Sequence, residues 1–181
     1  LFRLRMSEAV AERNAEWLLG SLATDVVLTF DSEGGPAEFQ DTWCPSDPDS
    51  EVWPILSTIL GGGGSYATCT RMSDCQHEGA SATFRAPYWS STFPSHRFNA
   101  FNYGVTVGDR VRVRAQPTRS SPVLTLLSHD LVRVLDFLPH LNNTDIPGGW
   151  VHTALADGRT GFMAEPYMKS AVGWRAWFEQ I

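Results

Sequence analysis

A chain of 181 residues is either one large domain or two small ones that share burial. Its 43% hydrophobic and 19% charged residues supply a packed core and leave too little charge for a disordered chain. A net charge of −6 argues against a phosphate-neutralising surface, so no nucleic acid partner is expected, and no apolar run is long enough to span a membrane as a helix.

The basic residues are thirteen Arg and one Lys, Lys169, a skew that fits codon bias in a GC-rich bacterial genome. Leu1-Phe2-Arg3 reads as the interior of a longer chain from which a signal peptide or anchor has been removed. Over residues 7–19, Met6, Val10, Trp17 and Leu18 share one helical face; Ser7 can cap its start and Gly20 can end it. Residues 25–30 are β-branched and apolar and precede turn formers through Pro36, which predicts a strand and its turn. Ser50 as cap, Glu51 in the first turn and an early Pro54 predict a helix over 52–60, stopped by the four glycines of 61–64. Residues 66–70 and 80–89 are further strand candidates. The first half is therefore expected to be α+β, occupying residues 1–93.

Cys44, Cys69 and Cys75 are an odd number. Cys69 and Cys75 can close a short loop as a disulfide, which suits an oxidising compartment, in preference to unpaired thiols or a metal site that adds His77. No metal or other cofactor is expected.

Residues 94–104 shift to Ser, Pro, Asn and aromatics and read as a linker pinned by rings. From 105 to 169 short β segments alternate with turns, at 110–114, 123–127, 131–137, 149–155 and 160–163. Val111 and Val113 alternate with Arg110, Arg112 and Arg114, one face buried and the arginines solvated. Asp157-Gly158 is a hairpin turn signal. Five short strands in so few residues favour a small closed barrel over a sandwich. Residues 170–181 are expected to pack on it as a tail.

In order and spacing, Val111-Arg-Val-Arg114 with Ala-Gln-Pro117, Ser121-Pro-Val-Leu124 with Leu127, Val132-Arg-Val134, Gly149-Trp-Val151, and Asp157-Gly-Arg-Thr-Gly-Phe162 with Tyr167 resemble the bacterial SH3 (SH3b) family. The resemblance covers residues 107–168. Phe162 stands where the family's last strand usually carries Trp, keeping a stacking face and losing an N–H donor, and the loop at 139–148 is longer than usual. Gly173-Trp-Arg-Ala-Trp-Phe178 and Asp47-Pro-Asp-Ser-Glu-Val-Trp53 are similar to a group of exported proteobacterial SH3-domain proteins in which an α+β region precedes the barrel. The resemblance thus implies an α+β N-terminal region followed by a small all-β SH3-like barrel, in a periplasmic or extracytoplasmic protein, whether free or held at a membrane through its N-terminus.

SH3b domains often accompany cell-wall hydrolases, so the N-terminal half matters as a place for a Cys–His pair. Cys44 precedes Pro45 and lies well before the predicted helix start, where no dipole would lower its pKa, and His77 and His96 stand in no recognisable motif. No Gly-x-Ser-x-Gly elbow exists, and no Lys follows the four glycines as a phosphate loop requires. Asp47, Asp49 and Glu51 alternate like a calcium loop but are better explained as helix capping.

Aromatic residues make up 12% of the chain, more large rings around the barrel than so small a core can bury. Phe137, Trp150, Phe162, Tyr167 and Trp174 are the candidate walls of a partner groove, of the kind that takes extended peptides. The sequence reading is a non-catalytic exported binding or accessory protein whose partner is a protein, a peptide or the stem peptide of peptidoglycan. Its alternatives are a periplasmic structural subunit of a membrane-associated complex, and a cell-wall enzyme or inhibitor with its site near Cys44, His77 and His96.

Overall fold

The computed structural model describes residues 2–28, 33–70, 75, 79–138, 146 and 148–180. These combine helices with antiparallel sheets, an α+β architecture, and the chain divides into two compact units, Leu1–Gly63 and Gly64–Ile181. The division falls before the linker expected at 94–104.

In the first unit the single helix expected over 7–19 is two, α1 (Phe2–Ala11) and α2 (Ala15–Gly20). Arg13 takes a left-handed conformation (φ 53°), and the Asn14 side chain accepts from the Trp17 N–H to cap a new start, so the apolar face is kept while the axis is interrupted. Met6, Val10 and Leu18 are buried as the face predicts. Residues 25–28, read as part of a strand, lie in a turn and irregular chain; 29 and 30 lie outside the described residues. A helix that the turn formers concealed follows, α3 (Pro36–Trp43), with Pro36 in its first turn, where the missing N–H is harmless. The helix α4 (Val52–Gly61) matches its prediction, and the Ser50 hydroxyl accepts from the Val52 N–H at 3.2 Å. Trp53, Leu56 and Ile59 on α4 are buried.

Among the described residues the second unit holds a three-stranded and a seven-stranded sheet. The first is built from β1 (Ser65–Thr68), β2 (Ala82–Ala86) and β10 (Ala176–Gln180), in the order β1-β2-β10. Gly64 allows the tight approach here: a Cβ would fall 2.2 Å from the Arg85 carbonyl oxygen. The expected tail is thus a strand hydrogen-bonded to β2, with Ala176 opposite Ala86 and Gln180 opposite Ala82. This pairing ties the segments on either side of residues 103–170 to each other. A short helix, α5 (Tyr88–Ser91), follows β2.

The seven-stranded sheet contains β3 (Tyr103–Thr106), β4 (Val111–Arg114), β5 (Val123–Leu127), β6 (Leu131–Leu138), β7 (Trp150–Ala154), β8 (Thr160–Ala164) and β9 (Met168–Ser170). The five segments expected between 110 and 163 are β4 to β8; β3 and β9 are additional. Asp157-Gly158 makes the β7–β8 turn, with Gly158 at φ 87° and the Asp157 carboxylate bonded to Arg159. That bond holds the Asp157 carboxyl below the usual carboxylate range.

The hydrogen-bonded order is β5-β4-β8-β7-β6-β3-β9, an open ladder with β5 and β9 at its edges rather than a closed ring of strands. In a flat sheet these edges would stand about 29 Å apart at the usual strand spacing. Yet Met168 of β9 belongs to the same apolar cluster as Val111, Val113, Val132, Val151 and Met163, against which Leu127 of β5 packs. A Cβ on Gly108 would also meet both Val111 of β4 and Tyr167 just before β9, at 3.5 and 3.7 Å, so the sheet curls to bring these strands together around one core. As the alternation predicts, Val111 and Val113 are buried and Arg112 is exposed.

Candidate functional site

The residues proposed as groove walls separate into three environments. Trp150 is 1% exposed and cannot line a surface groove as it stands; this corrects the expectation. Its ring lies opposite Leu138 on β6 and Ala164 on β8, and its indole N–H makes no hydrogen bond among the described residues. The strand β7 is paired on both sides, and the neighbouring Trp150 and Val151, which point to opposite faces, are both buried, so both faces are covered at this end.

Phe137, Tyr167 and Trp174 are 49%, 51% and 57% exposed. Phe137 sits near the end of β6, beyond a register shift between Val134 and Asp136. Tyr167 ends a 3-10 turn (Glu165–Tyr167) leading into β9, and its carbonyl accepts from the Val107 N–H at 2.8 Å. A Cβ on Gly108, at φ 124°, would stand 3.7 Å from the Tyr167 ring, so the bare glycine leaves that ring one open side. Trp174 lies in the turn before β10.

Phe162 is half-buried and stacks on His152, ring centroids 4.6 Å apart and planes within 12°. The two are a cross-strand pair, and their row continues to Asp136 on β6 and through Arg114 on β4 to Val123 on β5. A carboxylate, an imidazole, a phenyl ring and a guanidinium thus follow one another across one face. His152 was missed in the sequence because its significance comes from register, which no local pattern states.

A second aromatic assembly was also missed. Tyr66, Phe84 and Phe178 form one rung across the three-stranded sheet, with ring centroids 4.7 Å and 6.1 Å apart, and the Arg85 guanidinium lies 5.1 Å from the Trp177 ring. The pairing of residues 66, 84 and 178 could not be foreseen without knowing that the tail returns to β2. The phenol of Tyr88 meets His129 Nδ1 at 2.7 Å; desolvation raises the Tyr88 pKa above its ordinary value.

Cys69 and Cys75 are joined as a disulfide, their Cα atoms 5.6 Å apart, which is consistent with an oxidising compartment. Cys44 is an exposed thiol at the C-terminal end of α3, in a left-handed conformation, the opposite end of a helix from the one that activates a nucleophile. His96 is exposed in a turn of the second unit, and His77 lies outside the described residues. Asp47 accepts from the Asp49 N–H at 2.8 Å, and Asp49 pairs with Arg13, a turn at the start of α4 in place of a cation loop. Among the described residues no group of His, Cys, Asp and Glu could hold a metal, and no helix is long and apolar enough to cross a membrane. A shallow hollow of about 600 Å3 in the first unit, lined by Phe2, Asn14, Glu16, Trp17, Gly20 and Ser21, contains no nucleophile–base pair. No family model, curated protein or solved structure matches the chain.

Proposed function

We propose that the curled sheet is an SH3b-like module and that the protein is a non-catalytic, exported binding or accessory factor in the cell envelope. The module engages a protein or peptide, the stem peptide of peptidoglycan included, through Tyr167 with Phe137 and Trp174. One observation carries this reading: the core cluster is complete without these three rings, each about half exposed, so burial within the unit does not account for them. Large rings that are costly to leave in water and not needed inside fit contact with a partner.

The strand order of β4 to β8 and the shared core of both edges support the module reading, and the disulfide supports the compartment.

The decisive experiment compares wild type with Tyr167→Ala for retention on purified cell wall and for partners recovered from detergent-solubilised membranes. The expected result is retention lost at an unchanged melting temperature. Equal retention by the two proteins would remove Tyr167 from the site. Recovery of one stoichiometric membrane complex, with no cell-wall binding, would replace this reading with a structural subunit.

A further inference from the structure

The strand β5 is the longest uncharged edge in the second unit. Among the described residues it pairs with β4 alone, and it reads Val-Leu-Thr-Leu-Leu over 123–127. The other edges differ: β9 has three residues and includes Lys169, β1 has four, and β10 includes Glu179. Natural edges are commonly blunted by charge, shortness or proline; here Pro122 stands just before the strand, its carbonyl accepting from the Ala115 N–H at 3.0 Å, and the register shifts opposite Arg114, while residues 123–127 themselves carry neither charge nor proline. Val123 and Leu126 on it are 44% and 40% exposed.

Charge beside this edge selects what can pair with it. Arg112 lies opposite Leu126, is exposed, and has no carboxylate partner among the described residues. Arg114 lies opposite Val123, and its guanidinium donates to the Ser121 carbonyl, a neutral acceptor, at 2.6 Å. Neither β4 nor β5 carries an acidic residue. The carboxylates near the far end lie outside both strands, where Asp109 accepts from the Ser128 hydroxyl at 2.5 Å and Asp130 from the Ser128 N–H at 2.8 Å. A protein of net charge −6 thus presents, among the described residues, an unpaired strand edge backed by two guanidiniums with no carboxylate partner.

We propose that β5 receives an extended acidic peptide as an eighth strand. Backbone hydrogen bonds along 123–127 supply the pairing, and carboxylates at alternate positions of the peptide reach over Leu126 and Val123 to Arg112 and Arg114. The added strand would lie about 10 Å from β4, a distance that an arginine and a glutamate span together. A second copy pairing through β5 is disfavoured, since it would bring two sets of unneutralised arginines together. The proposal rests on the reading of the sheet as a binding module, but it uses residues other than Tyr167, Phe137 and Trp174.

The test titrates the isotope-labelled full chain with a short peptide alternating Glu with Val and Thr, and with the same peptide carrying Lys for Glu, while amide shifts and hydrogen exchange are read. Saturable shifts centred on 123–127 with the acidic peptide, slower exchange there, and no binding of the Lys peptide are expected. Arg112→Glu should weaken binding about tenfold or more at an unchanged melting temperature, with Arg112→Gln intermediate and fully folded. The proposal fails if neither peptide binds, if both bind alike, if the shifts centre elsewhere, or if β5 is found to close a dimer. A failure here with Tyr167-dependent retention intact overturns this inference alone; loss of both overturns the module reading as well.

Discussion

The two units are held by different kinds of contact. Leu1–Gly63 is organised around helices of six to ten residues, too short to be stable in water by themselves, so each depends on a few buried side chains such as Met6, Leu18, Phe39 and Trp53. Gly64–Ile181 depends on ladders between distant segments, with Ala176 paired to Ala86 and Gly104 to Ser170. The first arrangement can be loosened one helix at a time; the second loses several rungs with any one strand. Local opening should therefore be easier in the first unit, and amide exchange should report it.

The largest expected effect sharpens this contrast. Trp150→Ala should cost about 3–5 kcal/mol in urea unfolding and strip protection from β6, β7 and β8, whereas Leu18→Ala should deprotect α1 and α2 and leave those strands slow. If Leu18→Ala deprotects the strands equally, the two units share one transition and the contrast collapses. Trp150→Phe should cost much less than Trp150→Ala, because it removes a buried donor that has no acceptor among the described residues.

Next in size is the disulfide. Replacing Cys69 and Cys75 with Ser should cost about 2 kcal/mol from released loop entropy, seen as a lower urea midpoint under oxidising conditions and no difference from wild type under reduction. The smallest effect belongs to Asp157. Its folded carboxyl titrates below the ordinary value, so whatever it contributes is present above the usual carboxylate range and is lost as pH falls through the lowered folded value. The group is solvent-exposed, so Asp157→Asn should scarcely move the melting temperature at pH 7. A large shift would show that the β7–β8 turn depends on more than Gly158.

The same contrast governs what the sequence could tell. In residues 110–164 the alternation of Val111 and Val113 with arginine, and turn signals such as Asp157-Gly158, are local, and the strands lie where they were expected. In the first unit the interruption at Arg13 turns on one left-handed residue and one Asn cap, and Pro36 served equally well as a turn former and as the opening of α3. The candidate site was legible in residue type but not in placement. Nothing near Trp150 announces that β7 is central, and nothing near Phe162 names His152 as its partner, since both facts depend on strand order.

The pairing of β2 with both β1 and β10 has a mechanical consequence. Both outer strands run opposite to β2, so tension applied between Gly64 and Gln180 pulls β1 from its Ser65 end, beside Arg85, and β10 from its Gln180 end, beside Ala82. Those ends lie at opposite ends of the sheet. The force acts along the strands and loads all rungs at once, instead of peeling them in turn, so the three-stranded sheet works as a shear clasp across the curled region that it brackets.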